Sequence, residues 1–249
     1  MSDAITALSS ALNNDMAEMR SISQNLANLN TSGYKRQITA VSSFQQSIMS
    51  NTQGPGSAVS LNQAATSLPR IEVYRDMTQG TLKFSGNSFD LAISGKGFLQ
   101  VDSAQGVSYT RQGSFTIDQQ GRLSLATGET VLGEDGAIHL QNSPFTIDRE
   151  GVVSQDDEIV NKLKLVTFED PQLLNYRGSG LFDVPAGTTL AASEFEGQIM
   201  QGYLETSNVQ SLDEMIKMIE TTRHFETSHQ ILRGYDSMLD NAINVLGDL

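Results

Sequence analysis

The chain has 249 residues, with 16 lysines and arginines against 29 aspartates and glutamates for a formal net charge of −13, and it contains neither cysteine nor tryptophan. That length suffices for one large or two ordinary domains with a real core, and a charged fraction of 18% lies below the roughly 25% usual for soluble proteins, which argues against a disordered polyelectrolyte. An acidic chain without a basic block lacks the surface that nucleic-acid backbones need, and the missing cysteines exclude disulfides, thiolate nucleophiles and cysteine-ligated zinc.

The first segment is helical by period. Ile5, Leu8, Leu12, Met19, Ile22, Leu26 and Leu29 recur in steps of three and four, and the one vacant position of the series is Asp15. So narrow a seam expects a partner helix. Asn30, Thr31, Ser32 and Gly33 supply the left-handed conformations that end a helix there. The opening residues carry neither a basic region nor a continuous apolar run, so no cleaved secretory signal is expected. No stretch reaches the roughly 18 apolar residues of a membrane span, and no membrane insertion is expected.

From Gln37 to Pro69 there is no charged residue, and Ser, Gln, Asn, Thr and Gly dominate, which predicts an extended connector over residues 37–70. Residues 71–204 then read as a central, mainly antiparallel β domain. Short alternating runs at 91–93, 98–101, 107–111, 115–118, 122–125, 137–140, 145–148 and 162–168 are separated by glycine-bearing turns. One element is used twice: Phe115-Thr-Ile-Asp-Gln-Gln-Gly121 returns as Phe145-Thr-Ile-Asp-Arg-Glu-Gly151, in which the aspartate can cap a turn and the glycine can take positive φ.

The last segment mirrors the first. Met218, Phe225, Leu232, Leu239 and Leu246 recur every seven residues, and Ser211 with Asp213 and Glu214 provides a capped, acidic first turn. The expected fold class is therefore α+β, with residues 1–36 and 205–249 pairing as a coiled-coil-like core domain around the β domain. The simpler alternative is that each helix packs on the central domain alone.

Candidate chemistry is sparse. His224-Phe-Glu-Thr-Ser-His229 superficially resembles the H-E-x-x-H zinc helix, but histidines five apart lie about 140° apart around a helix, and the glutamate does not directly follow the first. His139 has no partner in sequence, Asp156-Asp157-Glu158 reads as a solvated loop, and Gly95-Lys96-Gly97 is too short for a phosphate-binding loop. No catalytic, metal-binding or cofactor-binding residues are assigned, and no enzyme activity or cofactor is expected.

Residues 25–36, NLANLNTSGYKR, closely resemble the N-terminal signature of the bacterial flagellar axial proteins of the rod and hook, with Leu29 and Tyr34 where Val and Phe are common. Residues 80–101, GTLKFSGNSFDLAISGKGFLQV, and 109–133, YTRQGSFTIDQQGRLSLATGETVLG, are similar to the next blocks of that family. So are 167–184, TFEDPQLLNYRGSGLFDV, and 201–209, QGYLETSNV, followed by a helix carrying Arg223-His224-Phe225-Glu226. The resemblance runs the length of the chain. It leans to the proximal rod protein, with the distal rod protein as alternative; hook proteins usually carry larger inserted outer domains.

The resemblance implies a non-enzymatic structural subunit of the basal-body rod, polymerising head-to-tail into the helical drive shaft that transmits torque and walls the export channel. It implies as partners copies of the chain, other rod proteins, hook or ring proteins, and the flagellar type III export apparatus, which would deliver it to the periplasm-spanning rod without a cleaved signal. Leu26, Leu29, Met218, Phe225 and Leu232 are the expected subunit-packing residues, with intramolecular packing a compatible role, and Asn25, Asn28, Asn30 and Gly33 the helix stop. The competing class is a periplasmic glycan hydrolase working through acidic residues of the β domain.

Overall fold

A computed structural model describes residues 2–42, 70–141, 143–156, 158–185, 187–188, 192–193, 195 and 197–247. Most of the connector expected over 37–70 lies outside these residues. The chain divides into two units, one of Met1–Ala27, Gln37–Tyr74 and Gln210–Leu249, the other of Asn28–Arg36 and Arg75–Val209.

The first unit holds helices α1 (Ser2–Ala27, 26 residues) and α2 (Ser211–Gly247, 37 residues) and a two-stranded pairing of β1 (Gln37–Ser42) with β2 (Arg70–Arg75). α1 and α2 lie antiparallel, since Asp15 meets His224 and Asn25 meets Glu214.

The expectation of a coiled-coil core is corrected here. A coiled coil buries its apolar repeat, whereas the most buried line along α2 is Glu214, Thr221 and Ser228, and the buried positions among the described side chains of α1 are Asp15, Ser21, Asn25 and a single apolar one, Ile22. Meanwhile Leu212, Met215, Ile216, Ile219, Ile231 and Met238 stay exposed. Small and polar side chains occupy the contact, and β1 packs on α1 as well. The described residues thus contain two helices, one at each end of the chain, and a large multi-sheet β domain, an α+β composition without a coiled-coil core.

The second unit is built of short strands: β3 (Leu82–Phe84), β4 (Leu91–Ser94), β5 (Phe98–Ser103), β6 (Gly106–Thr110), β7 (Phe115–Ile117), β8 (Leu123–Leu125), β9 (Thr130–Gly133) and β10 (Gly136–Ala137). They continue with β11 (Phe145–Ile147), β12 (Val152–Gln155), β13 (Glu158–Lys162), β14 (Leu165–Phe168), β15 (Asn175–Gly178), β16 (Leu181–Asp183), β17 (Ala192–Ser193), β18 (Gln198–Gln201) and β19 (Tyr203–Glu205). The largest sheet among the described residues runs β15-β16-β6-β5-β9-β8-β7, with β10, β14 and β17 attached at its side; β11-β12-β13, β4-β18 and β3-β19 form smaller antiparallel sheets.

Alternation drives the packing. Val101, Leu123, Val131, Ile138 and Val153 are fully buried in one core, and Phe98, Phe168 and Phe182 form a second, with Phe98 ring centroids 5.9 Å from Phe168 and 5.6 Å from Phe182.

The duplicated element is a duplicated turn. Asp118 Oδ1 accepts from the backbone N–H of Gln120 and of Arg122, both at 2.8 Å, and Asp148 Oδ1 accepts from Glu150 and Val152, both at 2.9 Å. Gly121 and Gly151 close the two turns at φ +77° and +87°. Desolvation pushes the Asp118 carboxyl upward, but the backbone N–H and guanidinium of Arg122 and the N–H of Gln120 outweigh it and hold its pKa below the usual aspartate value. A depressed folded pKa adds stability above the unfolded value and loses it as pH falls through the folded one. Thermal denaturation against pH is therefore expected to show a smaller loss of stability below about pH 4 in Asp118→Asn than in the parent.

Candidate functional site

Within the second unit, the residues that follow α1 are threaded between two distant parts of the chain. Gly33 N donates to Glu205 O at 2.8 Å, Asp76 N to Arg36 O at 2.9 Å, and Arg36 N to Asn208 Oδ1 at 2.7 Å. Asn208 Nδ2 returns to the carbonyls of Asp76 and Thr78. Motifs far apart in sequence, GYKR and LETSN, are thereby one hydrogen-bonded layer.

Its centre is a buried charge cluster. Lys35 Nζ lies 2.6 Å from Glu205 Oε1 and Arg111 Nη1 lies 3.2 Å from Glu205 Oε2, with side chains 1%, 4% and 1% exposed for Lys35, Arg111 and Glu205. Further bonds hold the cluster: Lys35 Nζ reaches Thr78 O at 2.7 Å, Arg111 Nε and Nη2 reach the carbonyls of Gly97 and Gly95 at 2.7 Å, and Gly80 N donates to Glu205 Oε1. One carboxylate thus neutralises one of two cations, and backbone carbonyls solvate the excess. Burial lowers the Lys35 pKa, with Glu205 pulling the other way. Because the folded value lies below the unfolded one, Lys35 works against stability at neutral pH, and that contribution fades as pH rises through the folded value.

Arg75 completes the layer, its guanidinium 3.7 Å above the Tyr176 ring and 5.2 Å from that of Tyr34, while its Nη1 donates to Lys35 O. None of Lys35, Arg75, Arg111 or Glu205 was singled out from sequence, although three stand inside recognised motifs. A charged residue in a motif carries no mark of burial.

The structure places the expected helix-stop residues as follows. Asn25 is buried in α1, where its Nδ2 donates to Gln37 O and Glu214 Oε2 and its Oδ1 accepts from Gln37 N. Asn28 O and Oδ1 accept from Thr31 N and Oγ1 in the turn beyond α1, Asn30 is exposed, and Gly33 takes φ +67° against the backbone of Arg111. The expected packing residues Leu26, Leu29, Met218, Phe225 and Leu232 are all half-buried. Ser21 Oγ joins Asn25 in donating to Gln37 O, tying β1 to α1.

The weaker chemical candidates are dispersed. His224 Nδ1 lies 2.9 and 2.8 Å from the two carboxylate oxygens of Asp15, and His229 packs near Phe225. Asp156 and Glu158 are exposed in and beside a turn, Asp157 lies outside the described residues, and His139 makes an isolated bridge to Arg122. They converge on no common site.

Comparison with known proteins agrees with the quoted motifs. A family model described as "Flagellar basal body rod FlgEFG protein C-terminal" matches residues 200–245, and one described as "Flagellar hook protein FlgE/F/G D1 domain" matches residues 92–155. The flagellar basal-body rod protein FlgF of Caulobacter vibrioides is 31% identical over 93% of this chain and 93% of its own. FlgG of Buchnera aphidicola subsp. Acyrthosiphon pisum is 31% identical over 89% and 91%, and FlgG of Bacillus subtilis 29% identical over 95% and 96%. With its N- and C-terminal motifs joined in one buried layer and 89% or more of its length shared with each of these relatives, this chain belongs to the flagellar basal-body rod protein family.

Proposed function

We propose that this rod subunit assembles by covering the apolar face that its own fold leaves open on α2. Its general role follows from the family: it is a structural, non-enzymatic component of the flagellar basal-body rod. The observation that carries the finer reading is the run Leu212, Met215, Ile216 and Ile219, four large apolar residues within two turns, all roughly half exposed or more. Monomeric surfaces rarely keep such a strip contiguous, and neighbouring subunits are its natural cover. The exposed parts of Leu26, Leu29, Met218, Phe225 and Leu232 join the packing in this reading.

Contacts made head-to-tail, with a rotation that does not close, give an open helical array, the form a torque-bearing shaft and export-channel wall require. Copies of the chain and other rod proteins are the first partners, with hook or ring proteins at the ends of the array. Delivery is by the flagellar type III export apparatus to the periplasm-spanning rod, and a chain without cysteine forms no stray disulfide there. The proximal position is preferred on chain length and the 218–226 segment MIETTRHFE, the distal position being the alternative.

The test is Ile216→Glu combined with Ile219→Glu in a strain deleted for the chromosomal copy. Both positions are exposed and glutamate is a good helix former, so the purified variant is expected to keep its stability within about 1 kcal/mol. Electron microscopy should show basal bodies lacking complete rods, and swimming should be lost. Normal rods and motility with both charges in place would refute the assignment of this face.

A further inference from the structure

The seven-residue repeat of α2 leaves open how far along α1 it should sit. Sliding one helix by seven residues brings apolar positions back to apolar positions, so the apolar pattern alone permits several antiparallel alignments. Two polar contacts distinguish them. Asn25 Nδ2 donates to Glu214 Oε2 at 3.1 Å, and ten residues back along α1, which is ten residues on along α2, Asp15 meets His224. Asp15 and Glu214 are buried, so a slip takes from each carboxylate its partner on the other helix in a place where unpaired charge is costly, while Asn25 keeps its bonds to Gln37.

We propose that these two contacts select the register of the α1–α2 pair, each barring a different slip. Moving α2 by seven residues in one direction sets Asp15 against Ile231, an apolar partner for a carboxylate, whereas Asn25 then meets Thr221, another side chain able to hydrogen-bond, so the weight of excluding this slip falls on Asp15. Moving it in the other direction offers Asp15 a new cation, Lys217, so the first contact cannot exclude that slip. The same movement, however, sets Glu214 against Glu18 and carries Asn25 opposite Ser207, beyond the N-terminus of α2. The aspartate that interrupts the apolar series of α1 and the glutamate in the first turn of α2 are therefore positioning residues with separate tasks. Polar residues at a helix–helix contact can fix its register at a cost in stability. The inference concerns the free chain and stands whether or not neighbours cover the exposed face of α2.

The absence of cysteine makes the register directly readable. Ala11 stands four residues from Asp15 and Ser228 four residues from His224 on the antiparallel pair, which sets them level with each other, so Ala11→Cys with Ser228→Cys reports the observed alignment. Ala11→Cys with Tyr235→Cys reports the slip barred by Asp15, and Ala11→Cys with Thr221→Cys the slip barred by Glu214. Disulfides form only between closely opposed residues, so mild oxidation of the purified full-length chain separates the three. In the parent background the Ser228 pair should cross-link on the order of tenfold or more above the other two, the excess expected for a register gap of about one decade in equilibrium constant.

Asp15→Leu with His224→Leu should raise the Tyr235 pair towards the Ser228 yield and leave the Thr221 pair at background. Glu214→Lys should do the reverse, because a lysine there meets Glu18 in the slipped alignment. Exchanging the first pair, Asp15→His with His224→Asp, should restore the parent pattern. Circular dichroism on each variant confirms that both helices are still formed before cross-linking is scored. Unchanged selectivity in Asp15→Leu/His224→Leu, or both slips opening together in either variant, would overturn the proposal.

Discussion

Replacing Glu205 by glutamine is expected to destabilise the folded chain by about 3–5 kcal/mol, the usual consequence of removing one partner from a buried ion pair. Glutamine fits the space and can still accept from Gly80 N, so the loss is one of charge rather than of shape. What remains is Lys35 and Arg111, two cations almost wholly withdrawn from solvent and now without a carboxylate bonded to either, Asp76 acting on Lys35 only at longer range. Lys35→Met should cost less. Glu205 keeps Arg111 in that variant, and the burial that already lowers the Lys35 pKa marks its charge as expensive to hold. Urea denaturation of the two variants beside the parent measures both effects. A loss in Glu205→Gln no larger than that in Lys35→Met would mean that the carboxylate is not the keystone of the cluster.

Gly33→Ala is the second large effect, expected at about 3 kcal/mol or more, with Gly33→Val larger still. Two costs add. Gly33 sits at φ +67°, where a side chain costs roughly 1–2 kcal/mol. A Cβ built there would also overlap the carbonyl of Arg111 and lie 2.7 Å from Gln112 N, and these are backbone atoms that cannot rotate away. Relief would have to come from the segment just beyond β6 that carries Arg111, so the substitution disturbs the same cluster that Glu205 holds. The valine variant should express normally but fail to restore motility to a deletion strain, and denaturant unfolding of the alanine variant gives the magnitude. Stability of Gly33→Ala within about 1 kcal/mol of the parent would show that the backbone accommodates the methyl group.

The two families of prediction differ in how they could have been found. Gly33 was visible as a residue able to take a left-handed conformation after a helix, because that property belongs to glycine itself. Glu205 was visible only as a letter in a motif. Its pairing with Lys35, 170 positions away, follows from no spacing rule. The duplicated turns at Asp118 and Asp148 lie at the legible extreme, since each bonds within four residues of itself. The coiled-coil expectation lies at the other. Periodicity located both helices, but it could not tell which stripe of each would face the other.

The sequence by itself determined the acidic, cysteine-free character of the chain, the helices at its two ends, the short strands between them, and the motifs by which its family is recognised. Each of these rests on residue chemistry or on hydrogen bonds spanning a few positions. The tertiary structure alone decided that Glu214, Thr221 and Ser228 turn inward on α2 while Ile216 and Ile219 stay outside, that Asp15 finds His224, and that one carboxylate serves two buried cations. Those outcomes depend on which groups are close in space and how far water is excluded, and no pattern along the chain encodes desolvation.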